Sequence, residues 1–533
     1  MGLMKRLVLL ATIAVALVPS PAAATAVCDQ LTSLSLPTAH ITAATSVAAG
    51  AFIPPAAPRR GGAAPAATTA ATPAAPQAAA APAGGVAVSY ARLPAFCRVT
   101  ATLTPSTDSD IKIEVWLPEA STWNGKFQAV GNGGWAGVIS YAALAQAIAA
   151  GYATASTDTG HVGGTAAFAL GHPEKVTDMA YRAVHEMTVH AKAIINRYYD
   201  ATPKFSLWNG CSLGGRQGIT EAVRYPADFD AVIAGAPAVN WMMLHVGRTE
   251  VNRRANASAD GVIPASKYPL LHDAALAACD AADGVKDGVI ENPLSCHFDP
   301  QVLECKAGHD SASCLTAAQV ASARALYAPV KDPVSGDILM PGLEPGSERS
   351  FGVVGGVTPV LTALEAGKYI IHKDANWDFR SFMLAEDLAL ARRVDPDDAL
   401  NSSSTNLKPF FDRGGKLLIY HGFQDPQVPP QNSVRYYTSV LNGAGRGLEG
   451  KQLALYMVPG MDHCSGGPGT DVFNKVAAME SWVMTGTAPR SIPAAHRVNG
   501  VAARTRPVCQ YPAVAKWRGT GSTDDAANFS CER

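Results

Sequence analysis

The residues with the clearest chemical potential lie in Gly210-Cys211-Ser212-Leu213-Gly214-Gly215. The run fits G-x-S-x-G, with a short apolar stretch, Phe205 to Trp208, before it and a helical one, Arg216 to Tyr225, after it. A tight strand-to-helix turn holds such a serine in a strained conformation, and small residues two positions to either side avoid clashes. The turn also aims the N–H of Leu213 and the helix N-terminus at a developing oxyanion. A serine hydroxyl needs a base, and the base needs a group to orient it. When the chain order is Ser, acid, His, the last two follow late strands. Asp425 follows the apolar run Lys416 to Tyr420, and His463 follows Leu453 to Val458. Asp462 is an alternative acid, but an immediate neighbour of His463 points elsewhere. His421 reads as a satisfied strand-end histidine, and His185 and His190 as surface or core residues of a long helix. The expected chemistry is acyl transfer through Ser212, His463 and Asp425.

Elements must hold these groups in place. Ile111 to Leu117 and Lys126 to Val130 are strand-like, as are Phe205 to Trp208, Asp230 to Ala234, Lys416 to Tyr420 and Leu453 to Val458. Helical periodicity marks Lys175 to Tyr199 and Asp471 to Met484. This alternation predicts an α/β fold, a mostly parallel sheet with helices on both faces. The rhythm breaks between residues 241 and 404, where cysteines and Gly/Pro loops cluster; this region reads as an inserted lid domain. It would divide the catalytic core into 98–240 and 405–533. Residues 27–97 form an N-terminal segment whose Ala/Pro-rich stretch, 50–86, has too few large side chains to offset its ordering entropy.

Lys5 and Arg6, the apolar run Leu7 to Val18 and Ala24-Thr25-Ala26 form a secretory signal peptide over residues 1–26. The chain is therefore expected to be secreted or periplasmic, with no membrane attachment after cleavage. Its 43 basic and 44 acidic side chains give a formal charge of -1, which argues against nucleic acid or a charged membrane surface as partner. Ten cysteines in an exported chain suggest disulfides. Proximity favours Cys279–Cys296, Cys305–Cys314 and Cys509–Cys531, leaving Cys28, Cys97, Cys211 and Cys464. If Ser212 and His463 meet, their neighbours Cys211 and Cys464 come within bridging reach; the alternative is two buried thiols.

Asp280, Asp283 and Asp287 fall within eight residues, with Gly284 among them and Gly288 directly after. Such a segment is either a hard-cation loop or a solvated acidic turn.

Cys211-Ser212, Asp425 and His463-Cys464 together resemble the CS-D-HC arrangement of the tannase/feruloyl esterase family. The similarity runs from Cys97 through Gly131-Asn132-Gly133-Gly134-Trp135 to the C-terminal cysteines. It implies an α/β-hydrolase core with an inserted lid, and hydrolysis of esters of aromatic acids of the feruloyl, galloyl or terephthalate monoester type. It also implies a Cys211–Cys464 bridge, a Cys28–Cys97 bridge and the three local pairs. Gly133, or else Gly134, would supply the second oxyanion N–H. A structural Ca2+ in the lid would take the side chains of Asp280, Asp283 and Asp287 and the carbonyls of Val285 and Val289. Trp241, Trp377, Phe379, Arg380 and Phe382 would line the acyl pocket or form lid core. Two other readings keep the fold: a serine peptidase or amidase, and a non-catalytic binding protein. An intact Ser, Asp and His set argues against the latter.

Overall fold

A computed structural model describes residues 28–55, 88–306 and 311–533. The signal peptide and most of the Ala/Pro-rich stretch lie outside the described residues. Residues 50–55, which the composition placed in that stretch, are described. Phe52 is buried against Trp116, with ring centroids 4.5 Å apart, so the aromatic ring provides the packing that the surrounding alanines lack.

Nine strands form one sheet: β1 (Ala39–Val47), β2 (Phe96–Leu103), β3 (Ile111–Pro118), β4 (Lys126–Val130), β5 (Ala153–Thr157), β6 (Phe205–Cys211), β7 (Ala231–Gly235), β8 (Lys416–Gly422) and β9 (Leu453–Val458). Their order is β1-β2-β3-β5-β4-β6-β7-β8-β9. Pairing is antiparallel from β1 as far as β5 and parallel from there to β9. A parallel sheet covered on both faces needs continuous apolar strands, and β9 (LALYMV) is buried at every position. Successive side chains serve opposite faces. Leu417 and Ile419 pack with helices Ala183–Tyr199, Leu213–Arg224 and Gln431–Ala444, whereas Leu418 and Tyr420 pack with helix Lys475–Thr485. That last helix starts four residues later than its periodicity suggests. Val472 and Phe473 pair in a small sheet instead, and the Asn474 side chain caps the helix by accepting from the Ala477 N–H.

The 241–404 region folds around its own core of helices Trp241–Ala255, Tyr268–Cys279, Ala317–Tyr327 and Leu384–Val394. This core also takes in Trp135 and Leu213, so the insert rests directly on the turn after β6. The chain ends in strands Ser491–Val498 and Val501–Cys509 and a hairpin, Val514–Trp517 with Phe529–Glu532. Among the described residues no helix is long and apolar enough to cross a membrane.

Candidate active site

Ser212 stands between β6 and helix Leu213–Arg224 with φ 63° and ψ -122°, a conformation that non-glycine residues rarely adopt. Its N–H donates to the Gly235 carbonyl, and its own carbonyl accepts from the N–H groups of Arg216 and Ala238. Those three bonds hold the strain. The flanking glycines are required by contact. A Cβ on Gly210 would sit 2.5 Å from the Gly214 carbonyl oxygen, and one on Gly215 would sit 2.4 Å from that of Gly235. Ser212 is half-buried at the head of a helix that is otherwise almost wholly buried.

The loops after β8 and β9 bring Asp425 to His463. His463 Nδ1 lies 2.6 Å from Asp425 Oδ2. Asp425 Oδ1 accepts the N–H groups of Gln427 and Val428 at 2.7 and 2.9 Å. Burial works to raise the carboxyl, but the charges and hydrogen bonds of His463 and His421 outweigh it and hold Asp425 well below the usual carboxylate range. The alternative acid, Asp462, has no hydrogen bond to His463, and burial together with Asp425 and Asp471 pushes it up to about 6. His421 is satisfied as a strand-end residue. Its Nδ1 meets Ser433 Oγ at 2.7 Å, and its Nε2 meets the Val428 carbonyl at 2.9 Å and Asp425 Oδ2 at 3.0 Å. No direct hydrogen bond joins Ser212 to His463. The Cys211–Cys464 disulfide instead ties their neighbours together with a Cα separation of 6.0 Å. Contacts of this kind commonly tighten only when substrate binds.

Directly after Ser212, Leu213 is the first residue of its helix, so its N–H has no intrahelical acceptor. The Gly131–Gly134 loop is fixed against the same helix. The Gly214 N–H donates to the Asn132 carbonyl at 2.8 Å, and the Asn132 N–H to Gln217 Oε1 at 3.1 Å. The Asn132 amide in turn donates to the carbonyls of Val138 and Thr157. Gly134 has φ 56° and faces Thr362 of the insert. Arg248 was not singled out in the sequence. It is fully buried on helix Trp241–Ala255 and donates to the Gln427 carbonyl at 2.9 Å and to Thr362 Oγ1 at 3.4 Å. One guanidinium therefore grips both the acid loop and the segment over the glycine loop. Burial, against the attraction of Asp425, pulls it down to about 10.

A family model described as tannase and feruloyl esterase matches residues 97–532. The chain belongs to this family. It is 36% identical to an uncharacterised esterase of Xanthomonas campestris pv. campestris, covering 96% of this chain and 92% of that protein. It is 32% identical to a probable feruloyl esterase B-2 of Aspergillus terreus, covering 84% and 88%. Among solved structures, feruloyl esterase B from Aspergillus oryzae superposes with a TM-score of 0.84 at 29% identity, covering 95% of this chain and 99% of that one. A tannin acyl hydrolase from Aspergillus niger shares the fold, with a TM-score of 0.75 at 20% identity over 93% and 92%. The protein is a carboxylic ester hydrolase with an α/β-hydrolase core.

All ten cysteines of this tannase/feruloyl esterase member are bridged: Cys28–Cys97, Cys211–Cys464, Cys279–Cys296, Cys305–Cys314 and Cys509–Cys531. The acidic loop curls on itself. Asp280 accepts the N–H groups of Asp287 and Gly288, Asp283 that of Val285, and Asp287 that of Val289. The loop supplies only oxygen donors, crowds like charges and has two glycines at positive φ, 92° and 81°, so a hard cation fits its donor set. Its three carboxylates do not all converge. Among the described residues, the group of three His/Cys/Asp/Glu side chains whose ligand atoms all lie within 4.8 Å of one another is His185, Glu221 and Asp228.

The suggested pocket aromatics divide. Trp241 and Phe382 are buried in the insert's core, Trp377 stacks on His372 at 4.5 Å, and Arg380 is exposed over the Phe379 ring. A cleft of about 990 Å³ runs past Lys126, Asn209 and Lys475 and is lined by none of Ser212, Asp425 and His463.

Proposed function

We propose that this esterase hydrolyses esters of aromatic carboxylic acids through an acyl-enzyme formed on Ser212. The observation that carries the reading is the 2.6 Å Asp425–His463 hydrogen bond, delivered to the Ser212 turn by the Cys211–Cys464 bridge. His463 takes the Ser212 proton as the hydroxyl attacks the ester carbonyl, then returns it to the leaving alkoxide. Water repeats the cycle in the second half-reaction, attacking the acyl group and freeing the acid. Asp425 holds the imidazole tautomer and stabilises the transient imidazolium. The N–H of Leu213 and one from Gly133 or Gly134 receive the oxyanion. The aromatic acyl preference is supported by the names of the relatives, feruloyl esterase B among them. Five disulfides support an oxidising, exported location, secreted or periplasmic. We also propose that Asp280, Asp283 and Asp287, with the carbonyls of Val285 and Val289, hold a structural Ca2+ that stabilises this loop and takes no part in hydrolysis.

The test is turnover of methyl ferulate, methyl gallate and mono(2-hydroxyethyl) terephthalate, each beside Ser212→Ala. Turnover of at least one, abolished in the variant, is expected. Equal turnover in the variant would overturn the assignment of Ser212, and no turnover of any of the three would overturn the aromatic acyl class.

A further inference from the structure

The group formed by His185, Glu221 and Asp228 lies away from the ester chemistry. His185 is on helix Ala183–Tyr199, Glu221 is in the last turn of helix Leu213–Arg224, and Asp228 is on the loop entering β7. His185 Nδ1 is 2.7 Å from Asp228 Oδ2, and its ring stacks on Tyr225 at 3.7 Å. Glu221 is 1% exposed, and neither of its carboxylate oxygens has a hydrogen-bond partner. A carboxylate taken out of water without a donor or a cation is strongly unfavourable. Nothing in acyl transfer uses Glu221. It stands nine residues beyond Ser212 on one helix, about 13 Å along the axis.

We propose that His185, Glu221 and Asp228 form a binding site for one divalent transition-metal ion, ligated by one imidazole nitrogen and an oxygen from each carboxylate. A mixed nitrogen and oxygen set suits Zn2+, Mn2+ or Co2+, whereas Ca2+ takes oxygen shells. The side chains of His185 and Asp228 are 26% and 13% exposed, which gives the ion a path in and leaves room for water to complete its shell. The helix C-terminus beside Glu221 adds negative potential. Lys192 and Arg224 face the same group. The Lys192 ammonium donates to the Asp228 carbonyl, and both cations act on Glu221, so they offset part of the carboxylate charge and temper affinity. The ion would clip together two helices and the loop feeding β7, reinforcing the far end of the nucleophile's helix. The competing arrangement is a proton shared between Glu221 and Asp228, which would satisfy Glu221 with no metal.

The full-length, untagged esterase, stripped with chelator and dialysed, is titrated with Co2+ and followed by visible absorption and metal analysis. Glu221→Gln, His185→Gln and Asp283→Asn are run alongside. One equivalent of Co2+ with ligand-field bands, displaced by Zn2+, absent from both Glu221→Gln and His185→Gln and retained in Asp283→Asn, is the expected result. A rise of several degrees in Tm with Zn2+ in the same two proteins that bind Co2+ is expected with it. Unchanged Co2+ binding in Glu221→Gln and His185→Gln would overturn the proposal. So would absence of binding together with a Glu221→Gln protein that melts as high as the parent, the signature of the shared proton. His185 is partly exposed, so its variant keeps the test decisive if Glu221→Gln fails to fold.

Discussion

Asp425 Oδ2, itself fully withdrawn from water, serves two imidazoles, His463 at 2.6 Å and His421 at 3.0 Å. The arrangement fixes the carboxylate from behind while it fixes the His463 ring in front. Because those partners hold the carboxyl below its usual range, its stabilising contribution is present throughout the neutral and mildly acidic range and is lost only as pH falls through that depressed value. The acid limb of a kcat/KM profile will therefore not contain the ionisation of Asp425 itself. Asp425→Asn is expected to lower kcat by about 10⁴-fold through the wrong imidazole tautomer, with KM little changed. Asp462→Asn is expected to stay within a few-fold of the parent. Steady-state kinetics on any accepted ester distinguish the two acids.

Much of this scale was legible in advance, because Ser212, Asp425 and His463 each follow a short apolar strand in a fixed order. Arg248 and the Asn132–Gln217 pair were not. Their partners lie 179, 114 and 85 residues away in the chain, and a single arginine or amide carries no local pattern that announces a distant carbonyl.

Among the elements, the turn from β6 into its helix admits little change. A methyl group at Gly210 would meet the Gly214 carbonyl oxygen at 2.5 Å, and the strained Ser212 between them cannot yield without losing its geometry. Gly210→Ala is expected to cost about 1–3 kcal/mol in stability and to remove most activity, as read by chemical denaturation beside an ester assay. Gly447, where a methyl group would meet nothing within 4 Å and φ is ordinary, is the matched control and should tolerate alanine. The strands that the sequence showed plainly were the apolar parallel ones and the antiparallel β3. β5, Ala-Thr-Ala-Ser-Thr, is buried at all five positions yet carries no large side chain. In β1 only Ile41 is buried. Both owe their strand form to neighbours across the ladder, which a local reading does not contain.

For the whole molecule, the acidic loop is where the insert meets the end of the chain. Arg506 pairs with Asp287 at 2.7 Å, Arg504 donates to the Asp287 carbonyl, and Val285 packs with Cys509, Ala515 and Phe529. Stabilising the loop would thus stabilise the junction of insert and core. On protein first freed of transition metals, added Ca2+ is expected to raise Tm by about 3 °C or more and chelator to reverse the rise, with Asp283→Asn insensitive to both. Differential scanning fluorimetry on the three samples is sufficient, and an equal Tm with and without chelator would exclude the ion.

The Cys211–Cys464 bridge spans 253 residues, and the entire insert lies inside that loop. Continuity of the polypeptide and unity of the catalytic centre are therefore separate properties of this molecule. A protease that nicks the insert leaves Ser212 and His463 in one covalent assembly of two chains. Only reduction would let the halves part, so an enzyme worn by proteolysis would fail through its sulfur chemistry and not through its first cut.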